Sequence, residues 1–349
     1  VTDPKIAVVI ATNRPESMAR WFAAWREQLH DTRIYVIEDN PILSMPAYEG
    51  YSDVKRHCWH SIDKALGENA WIIPRRTSAI KSFGFWKAYQ DGYENIWTLD
   101  DDCLPEPGRE YPYPGAVQSV LRRGMNDDSW FNTIESTGLY PRGYPYGIRQ
   151  NIQPVKVHHG LWSGVPDLDG ITALEHRELR LDPAAGVNRV PAGKMFPMCG
   201  MNLAFHRDMT PAMYFGLQGH RRRGVKSPVK GEFPLDPLPF DRFDDIWAGL
   251  FAKRVCDHLG WAVTTGAPSI VHTKESDPTM RVIKEAPGIA VNEKLWRWVA
   301  KTPVEGTTAS YVYAGLAESL VDFARQDEDR KDYWTLLARA MRTWTEICR

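Results

Sequence analysis

Four stretches of the chain are dominated by apolar, often β-branched residues: KIAVVIAT (residues 5–12), RIYVIEDN (33–40), AWIIPRRT (70–77) and NIWTLDDD (95–102). Unbroken apolar runs of this length suit strands covered on both faces, as in a parallel sheet. Between the first two, NRPESMARWFAAWREQL places Trp21, Ala24, Trp25 and Leu29 at helical spacing, and KSFGFWKAYQDGY between the last two also reads as helical. Strand, helix, strand in repetition predicts a doubly wound α/β sheet. Ligands of such sheets sit beyond the carboxyl ends of the strands. Asp39 and the triplet Asp100, Asp101 and Asp102 fall at such ends.

The periodicity fades over residues 138–170, where Gly, Pro and aromatics dominate, and ordered loops with short strands are expected there. HRRRGVKSPVKGEFPLDPLPFD (220–241) is basic and then Pro-rich, an insertion or a lid. From about Lys294 the pattern turns helical and continues in three amphipathic segments to the end. A helical extension over 291–349 is therefore expected to follow a main domain over 1–290.

Composition narrows the function. Forty-three basic and 44 acidic side chains give a net charge of −1, so nothing favours nucleic acid or a membrane surface as partner. No apolar run reaches the length of a membrane span, and the first residues lack the form of a secretory signal. Five scattered cysteines without a CxxC pair read as reduced thiols, and a cytoplasmic protein is expected. No GxGxxG follows the first strand, so the dinucleotide fingerprint is missing.

Adjacent carboxylates at the mouth of a sheet can hold Mg or Mn, which take oxygen ligands and commonly share them with substrate phosphates. The alternation of a strand end would pair Asp100 with Asp102 and turn Asp101 away. The competing reading is a solvated acidic turn. Asp39, in Asp-Asn-Pro, is either a turn cap or a contact for a nucleotide base or ribose. Asp244 and Asp245 precede a helical run; one can cap it, and the other is left for chemistry. His272 ends an apolar run as a structural residue or a ligand, whereas the adjacent His158 and His159 point apart.

WTLDDDC (97–103), RGYPYGIR (142–149), HGLWSGVPDLDG (159–170), KMFPMCGMNLAFHRDMTPAMYFGL (194–217), RFDDIWAG (242–249) and CDHLGWAVTTGAPSIVHTKESDP (256–278) resemble, in order, the plant reversibly glycosylated polypeptides. That family includes UDP-arabinopyranose mutases. The resemblance implies a GT-A-like, mostly parallel sheet flanked by helices, a divalent metal (Mn or Mg) and a UDP-sugar. It implies metal ligation by Asp100, Asp102 and His272, and nucleotide contacts from Asp39, Lys81, Asp100, Asp101 and Lys274. It places Arg149 on the arginine that carries the reversible sugar, and Asp244 and Asp245 beside the sugar.

Two departures stand out: Lys81 replaces an arginine usual in the family, and the 220–241 insertion replaces a short Gly-rich connection. The helical tail has no counterpart in the matching text. A pyranose–furanose mutase is the leading expectation; a sugar transferase and a non-catalytic UDP-sugar-binding scaffold stand beside it, and a homo-oligomer is left open.

Overall fold

The structure, a computed structural model, describes residues 5–44, 51–108, 111–126, 130, 132, 139–149, 151–220, 237–273 and 277–349. The chain opens with β1 (Ile6–Thr12), α1 (Pro15–Leu29), β2 (Arg33–Glu38), β3 (Val54–His57), α2 (Trp59–Leu66), α3 (Lys81–Gln90) and β4 (Asn95–Asp100). β5 (Cys103–Pro105), α4 (Gly115–Leu121), β6 (Gly124–Asn126), β7 (Ile152–Gly164), α5 (Gly170–Glu175), β8 (Val187–Val190) and β9 (Asn202–His206) follow. α6 (Asp244–Leu259), β10 (Ala262–His272), α7 (Pro278–Lys301), α8 (Ala309–Phe323) and α9 (Lys331–Ile347) complete it.

The strands form one sheet in the order β3-β2-β1-β4-β9-β7-β10-β5, with β6 on β7 and β8 on β10. β1, β2, β3, β4, β7 and β10 point one way; β5, β6, β8 and β9 oppose them. This is the expected α/β arrangement, a sheet flanked by helices with most strands parallel in direction and their carboxyl ends on one edge.

The continuous apolar runs are explained by two cores. Along β1, Ala7 and Val9 enter one core while Ile6, Val8 and Ile10 enter the other. Tyr35 and Ile37 are likewise separated from Ile34 and Val36 on β2. α1 closes the second core with Met18, Trp21, Phe22, Trp25 and Leu29. A strand buried on both sides needs no polar alternation.

Two elements differ from expectation. AWIIPRRT is not a strand: its first part is a 3-10 turn, and its one ladder contact among the described residues is a bridge from Arg75 to His220. Ala70, Trp71, Ile72 and Ile73 are buried all the same, and a short apolar run reports burial rather than conformation. The loop-like middle third contains β7, a strand of 13 residues. Its polar His158 and His159 are buried because each Nδ1 meets a threonine hydroxyl of β10, Thr264 and Thr265, at 3.0 Å. Burial holds these imidazoles neutral, down to about 3 and about 4.

The helical tail begins at Pro278 rather than near Lys294. Pro287 and Gly288 had disguised the helix's first half, since an interior proline reads as a break. The expected boundary at 290 lies inside α7, and α8 and α9 share the first core with the sheet.

Candidate active site

Three carboxylates, Asp100, Asp101 and Asp102, meet two cations, Lys81 and Arg14, at the carboxyl edge. β4 ends at Asp100, so the alternation of a strand does not extend through Asp101 and Asp102. Asp100 turns to Lys81 at the start of α3, whose ammonium is almost wholly buried and also donates to the Gly200 carbonyl at 2.9 Å. Burial pushes the Asp100 carboxyl up, but the neighbouring Lys81 ammonium outweighs it and holds the group below its ordinary value. Lys81 is thus spent within the protein, unlike the nucleotide contact expected of it.

Asp101 is buried beneath β1. It accepts from the Thr12 hydroxyl at 2.5 Å and from Arg14, whose Nε lies 3.0 Å from Oδ2 and whose Nη2 meets Oδ1. The same Nη2 reaches Asp102 Oδ2 at 3.0 Å. The other oxygen of Asp102 faces His272 Nε2 across 3.9 Å, too far for a hydrogen bond. His272 Nδ1 donates to the Val165 carbonyl at 2.8 Å, so Nε2 is the ring nitrogen turned toward Asp102.

A second group of carboxylates hangs from one turn. Gly200 N–H donates to Asp245 Oδ2 at 2.8 Å, while the Cys199 thiol donates to Asp167 Oδ2 at 3.2 Å. With the Gly200 carbonyl held by Lys81, this turn ties Asp167, Asp245 and Asp100 into one array. A Cβ at residue 200 would lie 3.0 Å from the Phe215 ring, so the tight packing there favours glycine. Asp244 and Asp245 occupy the first turn of α6, whose cap is Phe243; neither is the N-cap itself. Their charges still suit the positive end of the helix. Asp244 is buried and accepts from Ser78 Oγ, with Thr77 Oγ1 at 3.4 Å. Burial raises the Asp244 carboxyl, and burial together with Asp244 pushes Asp245 up to about 8.

Asp39 is spent on protein donors: Trp59 Nε1 at 2.7 Å and the Thr77 amide at 3.1 Å. It therefore fixes the turn at 76–78 rather than standing open. That turn holds Arg76 at φ 58°, a conformation bulky residues rarely adopt, between Asp39 just after β2 and Asp244 on α6. Arg242 is held similarly, at φ 68°, with Nε 3.2 Å from Glu285.

Arg149 is not brought into this group. It lies just before the amino end of β7, whereas the carboxylates stand at the carboxyl end. The 13 residues of β7 represent about 40 Å of extended chain. Its guanidinium sits 3.7 Å from the centre of the Tyr146 ring and 4.9 Å from that of Tyr140, and Nη2 donates to the Tyr144 carbonyl at 3.1 Å. Lys274 lies outside the described residues.

Sequence reading missed Arg14, Thr12, Asp167 and Arg242. Thr12 ends β1 and Arg14 lies two residues beyond it, so the rule that pointed to Asp39 and Asp100 applied equally to both. The other two act through tertiary contacts that carry no local pattern.

The family model described as reversibly glycosylated polypeptide matches residues 1–349. The chain belongs to the reversibly glycosylated polypeptide family. The match covers the C-terminal helices as well, so the tail is part of the family pattern. UDP-arabinopyranose mutase 2 of Arabidopsis thaliana is 33% identical over 92% of this chain and 86% of its own length. Probable UDP-arabinopyranose mutase 1 of Pisum sativum is 32% identical over 98% of this chain and 90% of its own. Among solved structures, glucosyl-3-phosphoglycerate synthase from Mycobacterium tuberculosis, with Mn2+, UDP and phosphoglyceric acid, has 12% identity and a TM-score of 0.37 over 87% of this chain and 81% of that one.

The residues that could hold a metal are Asp102 and His272. Among the described residues no three His, Cys, Asp or Glu side chains form a ready-made metal cluster. A carboxylate and an imidazole facing one another nonetheless fit a divalent cation that takes its remaining ligands from a diphosphate. No helix among the described residues is long and apolar enough to cross a membrane.

Proposed function

We propose that this chain interconverts the pyranose and furanose forms of a UDP-sugar, with UDP-arabinose as the substrate. Family membership along the whole chain, with relatives named as UDP-arabinopyranose mutases, carries the reading.

The chemistry asks three things of the site. The C1–O bond to the diphosphate must break with its electron pair leaving on UDP, and UDP must stay for the return. The oxygen that closes the ring must change from O5 to O4. A proton must therefore leave O4 and another arrive at O5.

The residues at the carboxyl edge suit these demands. Asp245 carries a proton near neutrality and can supply one to O5, while a neighbouring carboxylate such as Asp167 can take one from O4. Arg14 is half exposed beside the carboxylates and can meet diphosphate oxygens in a forked geometry. A divalent cation held by Asp102 and His272 would supply positive charge to the leaving diphosphate. Lys81 and Gly200 hold Asp100 and Asp245 in place. Within one chain Arg149 is assigned no step at the diphosphate, because β7 separates them.

Incubation with UDP-arabinopyranose and Mn2+, followed by separation of the nucleotide sugars, tests the reading. A furanose product from the wild type is expected, with turnover reduced roughly a hundredfold in Asp102→Asn and lost in excess chelator. Transfer to an added acceptor with no furanose formed would replace it with the transferase reading.

A further inference from the structure

One cation already stands at the Asp101–Asp102 pair, and it belongs to the chain. The Arg14 guanidinium grips Asp101 through Nε and Nη2, and only Nη2 reaches Asp102. The two carboxylates are unequally dependent on it. Asp101 keeps the Thr12 hydroxyl and Arg14 Nε if Nη2 moves away, whereas Asp102 Oδ2 has Arg14 as its one side-chain hydrogen-bond partner among the described residues. Asp102 is held by its backbone: the Thr273 amide and hydroxyl donate to its carbonyl at 3.3 and 3.0 Å.

Across the same carboxylate stands His272, 6% exposed, with Nδ1 committed to Val165 and Nε2 at 3.9 Å from Asp102. The Asp102 side chain is only 12% exposed, and an enclosed carboxylate is costly unless positive charge is near. We propose that Arg14 is a built-in counter-cation for Asp102: it offsets this cost in the free protein, releases Oδ2 when a divalent cation binds, and turns to the incoming diphosphate.

The inference rests on the metal part of the reading above and adds a sign to it. A carboxylate shared with Arg14 is a weakened ligand, so Arg14 competes with metal that arrives alone. When UDP is present, the displaced guanidinium gains new acceptors, and metal and nucleotide assist one another through Arg14. An arginine that merely held Asp102 in position would have the opposite effect, since its loss would weaken metal binding.

Titration of the full chain with Mn2+, followed by the loss of the free-ion paramagnetic resonance signal, separates these cases without turnover. Measured without nucleotide, Arg14→Gln is expected to bind Mn2+ roughly tenfold more tightly than the wild type, and UDP is expected to improve binding by a smaller factor in the variant. Arg14→Lys, whose single point charge cannot span both carboxylates, should lie between them. Unchanged or weaker Mn2+ binding in Arg14→Gln overturns the inference while leaving the metal site standing. Absence of Mn2+ binding in every form, with UDP present, removes the metal site and the inference together. If Arg14→Gln does not fold, Arg14→Lys decides the sign: binding no tighter than the wild type overturns the inference.

Discussion

Asp245 shows how one side chain links the site to the stability of the fold. Its carboxyl is pushed up to about 8 by burial and by Asp244, while in the unfolded chain it titrates near the ordinary carboxylate value. The folded state therefore binds more protons than the unfolded state between about pH 4 and pH 8. Stability should fall as pH rises through that window. Asn at this position keeps an acceptor for the Gly200 amide and cannot ionise. The advantage of Asp245→Asn over the wild type in urea unfolding is thus expected to grow between pH 5 and pH 8, at up to about 1.4 kcal/mol per pH unit. Equal gaps at both pH values would show that Asp245 is ionised in the native state. The position of Asp245 before a helix was legible in the sequence, as was Asp102 at a strand end. Its protonation was not, because it depends on Asp244 and on a turn 45 residues away.

At the scale of elements, the sheet is joined across its middle by Asn202. On β9, its Oδ1 accepts from Trp97 Nε1 at 2.9 Å, and its Nδ2 donates to the carbonyls of Leu161 at 3.0 Å and Pro268 at 3.1 Å. One amide thereby satisfies groups on β4, β7 and β10. Asn202→Leu would leave the indole N–H and both carbonyls without these bonds, at about 1–3 kcal/mol for each group that finds no water. A loss of at least about 3 kcal/mol in denaturant unfolding is expected; a loss below 1 kcal/mol would mean that water replaces the amide. Gly160 belongs to the same device, since a Cβ there would come within 2.1 Å of Asn202 Nδ2. The strands lined by apolar residues were readable from pattern, because two-sided burial leaves a continuous run. β7 was not, because its imidazoles are made compatible with burial by threonines more than a hundred residues later.

Viewed as a whole, the molecule uses its C-terminal helices as the floor of the site rather than as an appendage. Trp344 of α9 stacks on Tyr214 at 5.3 Å and donates to the Thr210 carbonyl at 3.0 Å. Trp334 packs between Phe240, Trp247 and Phe323, and the Tyr333 hydroxyl donates to the Leu217 carbonyl at 2.9 Å. These contacts support the segment that leads from β9 into α6, where Asp244 and Asp245 begin. Amphipathic spacing made the last helices visible in the sequence, but nothing local says which surface their apolar faces cover. Two outcomes are expected. Trp344→Ala, which empties a fully buried aromatic site, should cost about 3–5 kcal/mol and lower the midpoint of thermal unfolding. A chain ending at Lys301 should fail to give a cooperative transition, because Val9, Phe85 and Trp247 lie in the same core as Leu316, Trp334 and Trp344. Limited proteolysis and differential scanning calorimetry of the shortened chain decide the point. A sharp unfolding peak and a protease-resistant core spanning β1 to α7 would show instead that the sheet holds its form alone and that α8 and α9 were added to a finished fold.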